Sequence, residues 1–316
     1  MSKNYLGIDI GGTDAKFGIV DEFGHITCKS KYSVSFDKYK TPILTTVLTS
    51  TEKFLFENDY TAESLDGIGI SATGQIDSKK GMVVGSGGNL KRWDGSRIKN
   101  VFESKYKLHV SVINDANCVA LGEKWIGGAK NSKNIIVLTI GTGLGGGIIV
   151  NNEILLGQNG FAGEIGHFSI NNHGVLCTCG NRGCFEQYAS MTALVKDVTA
   201  YYQKNNADYL TTTPVNGKTI FQQIENQNED IISIVDEWIS NISSGIVSLI
   251  HIFNPDQIII GGGVSAQKSL FVDKLRMSVF HKMMPNFKKS LSFDAAILGN
   301  DAGLVGAVYY LTTTFT

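Results

Sequence analysis

Two apolar strands in this chain run straight into glycine turns, and each turn leads into another strand. Residues 5–10 form the first strand and enter Asp9-Ile10-Gly11-Gly12-Thr13, with residues 17–20 extended beyond it. Residues 134–140 lead into Gly141-Thr142-Gly143-Leu144-Gly145-Gly146-Gly147, with residues 148–150 extended beyond. The second run contains G-x-G-x-x-G, but a dinucleotide-binding unit needs a helix next, and strand follows. A Walker A loop, G-x-x-x-x-G-K-[ST], occurs nowhere in the sequence. What remains is a hairpin whose bare turn can aim backbone N–H groups at an anion. An ordinary hairpin explains either turn alone. Two of them, one in each half, suit the grip of one polyphosphate from both sides.

The rest of the chain alternates in the same way. Strands are expected at residues 26–32, 65–71, 108–113 and 257–260, and helices at 41–56, 116–125, 191–204, 230–253, 268–280 and 301–311. Asp115 is expected to cap the helix that begins at 116. Alternation favours an α/β fold. A length of 316 residues is more than one core comfortably serves, so two lobes are expected. The smaller is placed at residues 1–116 with 300–316, and the larger at 117–299. Both halves open with a hairpin-like unit and later contain a strand-to-helix step, a weak internal duplication.

Charge and targeting signals narrow the function classes. The formal net charge is −1, with no block of like charge, so neither nucleic acid nor an anionic membrane is an expected partner. The N-terminus has no signal-peptide pattern, and no apolar run reaches the roughly 20 residues of a membrane span. The expected location is the cytoplasm. Three of the five cysteines, Cys177, Cys179 and Cys184, fall within eight positions. In a reducing compartment such a cluster indicates a metal rather than a disulfide.

Several residues carry candidate chemistry. Asp9 can hold a Mg²⁺ water, the Thr13 hydroxyl adds a donor, and Lys16 adds positive charge. Gly262 and Gly263, at the end of a strand, leave bare backbone for a flat nucleoside. Asp115 at a strand end can accept the proton of an alcohol during phosphoryl transfer, a role compatible with helix capping. Three cysteines and one histidine suit tetrahedral Zn²⁺, closed and therefore structural. On spacing, either His167 or His173 completes that set. Asn89, Trp93 and Asp94 lie in a glycine-rich loop suited to lining a sugar pocket.

Taken together, these motifs resemble the ROK family of bacterial sugar kinases and related repressors. The carriers are Gly7-Ile8-Asp9-Ile10-Gly11-Gly12-Thr13, Asn114-Asp115-Ala116-Asn117, the glycine run from 141 to 147, Glu164-Ile165-Gly166-His167, and Cys-x-Cys-Gly-x-x-Gly-Cys-x-Glu from Cys177 to Glu186. The resemblance implies an actin-like, hexokinase-like (ribonuclease H-like) fold of two lobes, with ATP and sugar in the interlobe cleft. It implies Asp115 as catalytic base towards the sugar C6 hydroxyl. Sugar contacts would be Asn89, Asn114, Asp115, Glu164, His167 and Glu186. Asp9, Gly11, Gly12, Thr13, Lys16, Thr142, Gly143, Gly262 and Gly263 would serve ATP and Mg²⁺. His167, Cys177, Cys179 and Cys184 would hold zinc. His167 is preferred to His173 because it would then meet zinc with one ring nitrogen and sugar with the other. A homodimer is also implied.

The chain departs from the family pattern twice. Asp14 stands where many relatives carry Lys, and Gly88 precedes Asn89 where many hexokinases carry Pro. Glucose, N-acetylmannosamine and β-glucosides compete as substrates. A repressor would need a helix-turn-helix region ahead of the first strand, where only about four residues stand, so the kinase is the expected activity.

Overall fold

A computed structural model describes residues 3–86 and 90–314. Asn89 lies outside the described residues. In chain order the first elements are β1 (Asn4–Ile10), β2 (Asp14–Asp21), β3 (Ile26–Ser33), α1 (Ile43–Glu57), β4 (Gly67–Ala72), β5 (Gln75–Asp77), β6 (Met82–Gly85), α2 (Ile98–Tyr106), β7 (Val110–Asn114) and α3 (Asp115–Trp125). They are followed by β8 (Ile135–Ile140), β9 (Leu144–Val150), β10 (Glu153–Ile154), α4 (Glu186–Ala189), α5 (Met191–Asn205), α6 (Tyr209–Thr212), α7 (Gly217–Glu225), α8 (Glu229–Phe253), β11 (Gln257–Gly261), α9 (Asp273–Lys282), β12 (Ser292–Ala295) and α10 (Ala302–Thr314).

Two five-stranded sheets carry the fold, ordered β3-β2-β1-β4-β7 and β10-β9-β8-β11-β12. Counted within each set, both read third, second, first, fourth, fifth. The duplication expected from the sequence is therefore present in the topology. In the first sheet β1 and β2 are antiparallel, whereas β4 runs parallel to both β1 and β7. In the second, β11 runs parallel to both β8 and β12.

Burial follows strand position. All six residues of β4, Gly-Ile-Gly-Ile-Ser-Ala, are buried, as a parallel strand covered on both faces requires. Edge strand β3 alternates half-buried and exposed residues and points Lys29 and Lys31 outward.

By contact density the chain forms two compact units. Unit 1 is Met1–Ser132, Gly147–Gly163 and Ile297–Thr316; unit 2 is Lys133–Gly146 and Glu164–Ala296. In unit 1, α10 lies against β1, β4 and α3 at backbone distance. A Cβ on Gly306 would fall on the Cys118 carbonyl, and one on Gly122 would stand 2.6 Å from the Ala302 carbonyl oxygen. Unit 2 is built on the 25-residue α8, which is capped by the Asn228 side chain and stopped by Asn254 at φ 45°. Trp238 of α8 stacks on Phe271 at 4.9 Å between ring centres.

Three local differences from the sequence reading have physical causes. Strand β9 already begins at Leu144, so glycines 145–147 belong to the strand and the turn is only Gly141–Gly143. Gly146 is bare because the Ile165 side chain and the Val137 carbonyl press on it. The helix expected from 268 starts at Asp273. A wide turn, Lys268–Val272, precedes it and brings both Phe271 and Val272 inward. Elements α2, α7, β5, β6, β10 and β12 are too short for periodicity to reveal.

The close approach of α3 and α10 is testable. Gly306→Ala is expected to cost about 2–3 kcal/mol or more by overpacking, read as a lowered thermal midpoint. An unchanged midpoint would contradict backbone contact between the two helices.

Candidate active site

In unit 1 the carboxyl ends of β1, β4 and β7 lie side by side. Asp9 is level with Ser71, and Ala72 is level with Asn114. Strand ends of this kind are where open α/β sheets place ligands. The Asp9 carboxylate receives one directed donor on each oxygen. Lys16 Nζ donates to Oδ2 at 3.0 Å, and Ser71 Oγ donates to Oδ1 at 2.7 Å. Lys16 also donates to the Asn300 carbonyl at 3.2 Å. The Asp9 and Lys16 side chains keep 16% and 32% exposure, so the pair remains accessible to a solute. Gly303, in the first turn of α10, lets that helix end come within van der Waals reach of the carboxylate, where its dipole favours negative charge.

The first glycine turn is held from behind. Gly11 N–H donates to the Asp14 carbonyl at 3.0 Å. The Tyr39 hydroxyl donates to the Gly12 carbonyl at 2.8 Å, and Val34 N–H donates to the Thr13 carbonyl at 2.9 Å. Asp14 turns to the neighbouring strand and pairs with Lys31 at 3.3 Å. Of the nearby lysines it is Lys16, two residues on, that meets Asp9.

Asn114, rather than Asp115, caps α3. Its Oδ1 accepts from Ala116 N–H at 2.9 Å and Asn117 N–H at 3.2 Å, while its Nδ2 donates to the Gly74 carbonyl at 3.0 Å. A capping side chain must precede the first helical residue, and the helix begins at Asp115. Asp115 therefore occupies the first turn, with Oδ1 accepting from Ala116 N–H at 2.8 Å. Cys118, one turn on, is fully buried. Burial pushes its thiol well above the ordinary range; a hydrogen bond with Ser71 opposes this, and the charges of Asp9 and Asp115 add to it. Both carboxylates thus act on one buried thiol.

Trp93 belongs to the core of unit 1, with no exposed surface and its indole N–H donating to the Thr73 carbonyl at 2.8 Å. Asp94 accepts from the Ser86 hydroxyl at 2.6 Å. Trp93 therefore packs in the core rather than lining a pocket, while Asp94 is exposed.

In unit 2 the second glycine turn meets three neighbours. Met191 N–H donates to the Gly141 carbonyl at 2.9 Å, and Thr192 Oγ1 donates to the Thr142 carbonyl at 2.6 Å. Glu186 Oε2 accepts from Leu144 N–H at 2.9 Å and would stand 2.6 Å from any Cβ on Gly143. Gly262, at φ 87°, backs onto the Ile140 carbonyl, while Gly263 faces open space. Thr142, Gly143, Gly262 and Gly263 therefore gather at the end of β8.

Glu164, His167 and Glu186 come together beside that turn. Glu164 keeps exposed surface, yet the protein packed around its carboxyl desolvates it and raises it above its usual range; His167 opposes the shift, and the Glu186 charge adds to it. Gly166 makes the approach feasible, because a Cβ there would stand 2.5 Å from the Leu144 carbonyl oxygen.

Next to them, the ligand atoms of His167, Cys177, Cys179 and Cys184 all lie within 4.8 Å of one another. Cys179 Sγ is 3.5 Å from Cys184 Sγ, and Cys177 Sγ is 3.7 Å from His167 Nδ1. Tetrahedral zinc with Zn–S bonds of about 2.3 Å needs ligand atoms about 3.8 Å apart, so the set fits. The chain folds back tightly here. Cys177 N–H donates to the Asn181 carbonyl at 2.8 Å, and Gly180 and Gly183 take φ of 92° and 68°. His173 is exposed and outside the cluster, its N–H bonded to the Asn171 side chain at 3.2 Å.

The ROK family domain model matches residues 5–314. The chain belongs to the ROK family. It is 34% identical over 308 residues to a glucokinase of Halalkalibacterium halodurans, covering 96% of this chain and 93% of that protein. It is 30% identical over 307 residues to the xylose repressor of Caldicellulosiruptor bescii, covering 96% of this chain and 76% of that one. Among solved structures, a ROK family glucokinase from Streptomyces griseus, in complex with glucose and AMPPNP, superposes with a TM-score of 0.82 at 31% identity. That match covers 96% of this chain and 97% of the other. The α/β fold is that of the two-lobed, actin-like ATPases.

The ligand geometry predicts about one zinc per chain in freshly purified protein. Cys179→Ser is expected to lower both the zinc content and the thermal midpoint. Metal analysis that finds no zinc in either protein would refute the assignment.

Proposed function

We propose that this chain is an ATP-dependent sugar kinase that transfers the γ-phosphoryl group to the C6 hydroxyl of glucose or a closely related hexose. The observation that carries this reading is the set of strand ends in unit 1. An accessible Asp9–Lys16 pair and a helix-first Asp115 stand at the ends of parallel strands in one sheet. Phosphoryl transfer needs charge neutralisation, alignment and one acceptor for the alcohol proton. Lys16 and the turn Gly11-Gly12-Thr13 suit the first. Asp115 suits the last, with Asn114 holding the helix start still.

The other half of the reading rests on unit 2. Thr142, Gly143, Gly262 and Gly263 offer backbone to the nucleotide, and Glu164, His167 and Glu186 offer polar groups to sugar hydroxyls. Asn89 and Asn114 complete the proposed sugar contacts. Mg²⁺, brought with ATP, would shield the phosphate charge, with Asp9 holding one of its waters. Zinc held by His167, Cys177, Cys179 and Cys184 would have all four positions filled by protein and would keep the His167 ring oriented. N-acetylmannosamine and β-glucosides remain the competing substrates. We infer a cytoplasmic homodimer with a small-molecule substrate and no nucleic-acid or membrane partner. No described helix is long and apolar enough to cross a membrane.

A second reading, a sugar-responsive repressor, draws on the similarity to the xylose repressor. An ADP-release assay across a panel of sugars separates the two. Turnover with at least one hexose is expected, and Asp115→Ala is expected to lower kcat by about 10³. Absence of turnover on every sugar, joined by retention of operator DNA in a gel shift, would favour the repressor. Near-normal activity of Asp115→Ala would remove that residue from the role of base.

A further inference from the structure

We propose that Ser71 is a positioning residue for phosphate binding, acting through Asp9; this rests on the kinase reading above. Ser71 sits in the middle strand of three parallel strands, β1-β4-β7, and has no exposed surface. A buried hydroxyl must spend its hydrogen somewhere. This one donates it to a partly exposed carboxylate, at 2.7 Å to Asp9 Oδ1. Such a charge-assisted bond is about twice as strong as a neutral one.

The consequence lies in how Asp9 is shared. Its two oxygens have separate partners, Ser71 on Oδ1 and Lys16 on Oδ2. The first turn of α10 closes on the same carboxyl group, and Gly303 leaves little room for it to move. Ser71 therefore fixes the rotation of the carboxylate about its Cβ–Cγ bond. With Oδ1 engaged, Lys16 is confined to Oδ2 and to the Asn300 carbonyl, and its remaining hydrogen can serve a phosphate oxygen. Without the Ser71 hydroxyl, the carboxylate would be free to turn and offer Lys16 both oxygens, and the ammonium would withdraw into the pair. The cost would fall on nucleotide and metal binding, not on the sugar. Cys118, fully buried nearby, is held well above the ordinary thiol range by that burial and offers no competing charge.

The test is a double-mutant cycle read by calorimetry with MgADP, so that no turnover is needed. Ser71→Ala is expected to weaken MgADP about tenfold and to raise the ATP KM, while leaving the sugar KM and the thermal midpoint near wild type. In an Asp9→Asn background, Ser71→Ala is expected to weaken MgADP no further, because the group it acts through has already been altered. Ser71→Cys, similar in volume but a weak donor, should fall between wild type and Ser71→Ala, and carries the same comparison should Ser71→Ala fail to fold. Wild-type MgADP affinity in Ser71→Ala (or in Ser71→Cys, if that variant stands in), or a full second tenfold loss in the Asp9→Asn background, would overturn the assignment while leaving the kinase reading intact. Absence of both turnover and MgADP binding in the wild-type chain would overturn the kinase reading and this assignment with it.

Discussion

Backbone contact between α10 and its three neighbours organises unit 1. Gly7 of β1 and Gly69 of β4 admit the Leu304 and Ala307 carbonyls of α10; Gly122 of α3 and Gly306 of α10 admit each other's helix. Glycine inside a helix costs about 1 kcal/mol against alanine. Three of them, Gly122, Gly303 and Gly306, are tolerated because the approach buries nearly all of the first two turns of α10. It also brings two helix N-termini to the ends of β1 and β7, one at the Asp9 carboxylate and one carrying Asp115. A bulkier packing would hold the same sheet but move the α10 end away from the Asp9 carboxylate and shift α3, with Asp115, away from the strand ends.

Unit 2 solves a different problem. Its polar residues come from a region with little regular structure, residues 164–185, where no strand or long helix could fix them. The His167–cysteine cluster brings four of its side chains within 4.8 Å of one another. Ser169 and Leu176 form single bridges to Cys184 and Arg182, and the peptide bonds around Gly180 and Gly183 take conformations that favour glycine. Glu186 follows Cys184 by two residues and begins α4, so the backbone that places Cys184 in the cluster also sets where Glu186 meets the second glycine turn.

Much of this was legible in the sequence because it is local. A strand that ends in Asp-x-Gly-Gly, an Asn-Asp step before a helix and a Cys-x-Cys-x₄-Cys run each hold their meaning within about ten residues. The strands of the first sheet and most of the long helices follow from such signals, whereas spacing left His167 and His173 both open and only the family resemblance favoured His167. Ser71 was not legible. Its partner Asp9 lies 62 positions away, and only the parallel register of β1 and β4 brings the two level. Asn114 as the cap was missed by one residue, because Asn and Asp are both good capping residues and the sequence offers them consecutively. Trp93 misled for a related reason. An aromatic in a glycine-rich loop has the composition of a binding residue, but its indole N–H found a backbone carbonyl and its ring found the core.

The two units also differ in how they manage charge. In unit 1 each carboxylate of the site has a donor or a helix end assigned to it: Lys16, Ser71 and α10 for Asp9, and the first turn of α3 for Asp115. In unit 2 Glu164 keeps exposed surface but stands near Glu186, and desolvation and that neighbouring charge both press it towards the protonated form. A carboxyl group that holds its proton more readily can donate to a hydroxyl oxygen as well as accept from a hydroxyl. Recognition of a sugar, a neutral ligand whose every hydroxyl is both donor and acceptor, is served by that mixture. A polyphosphate offers acceptors alone, and on the proposed reading it would be met by Lys16 and the helix ends of unit 1 rather than by such a mixture.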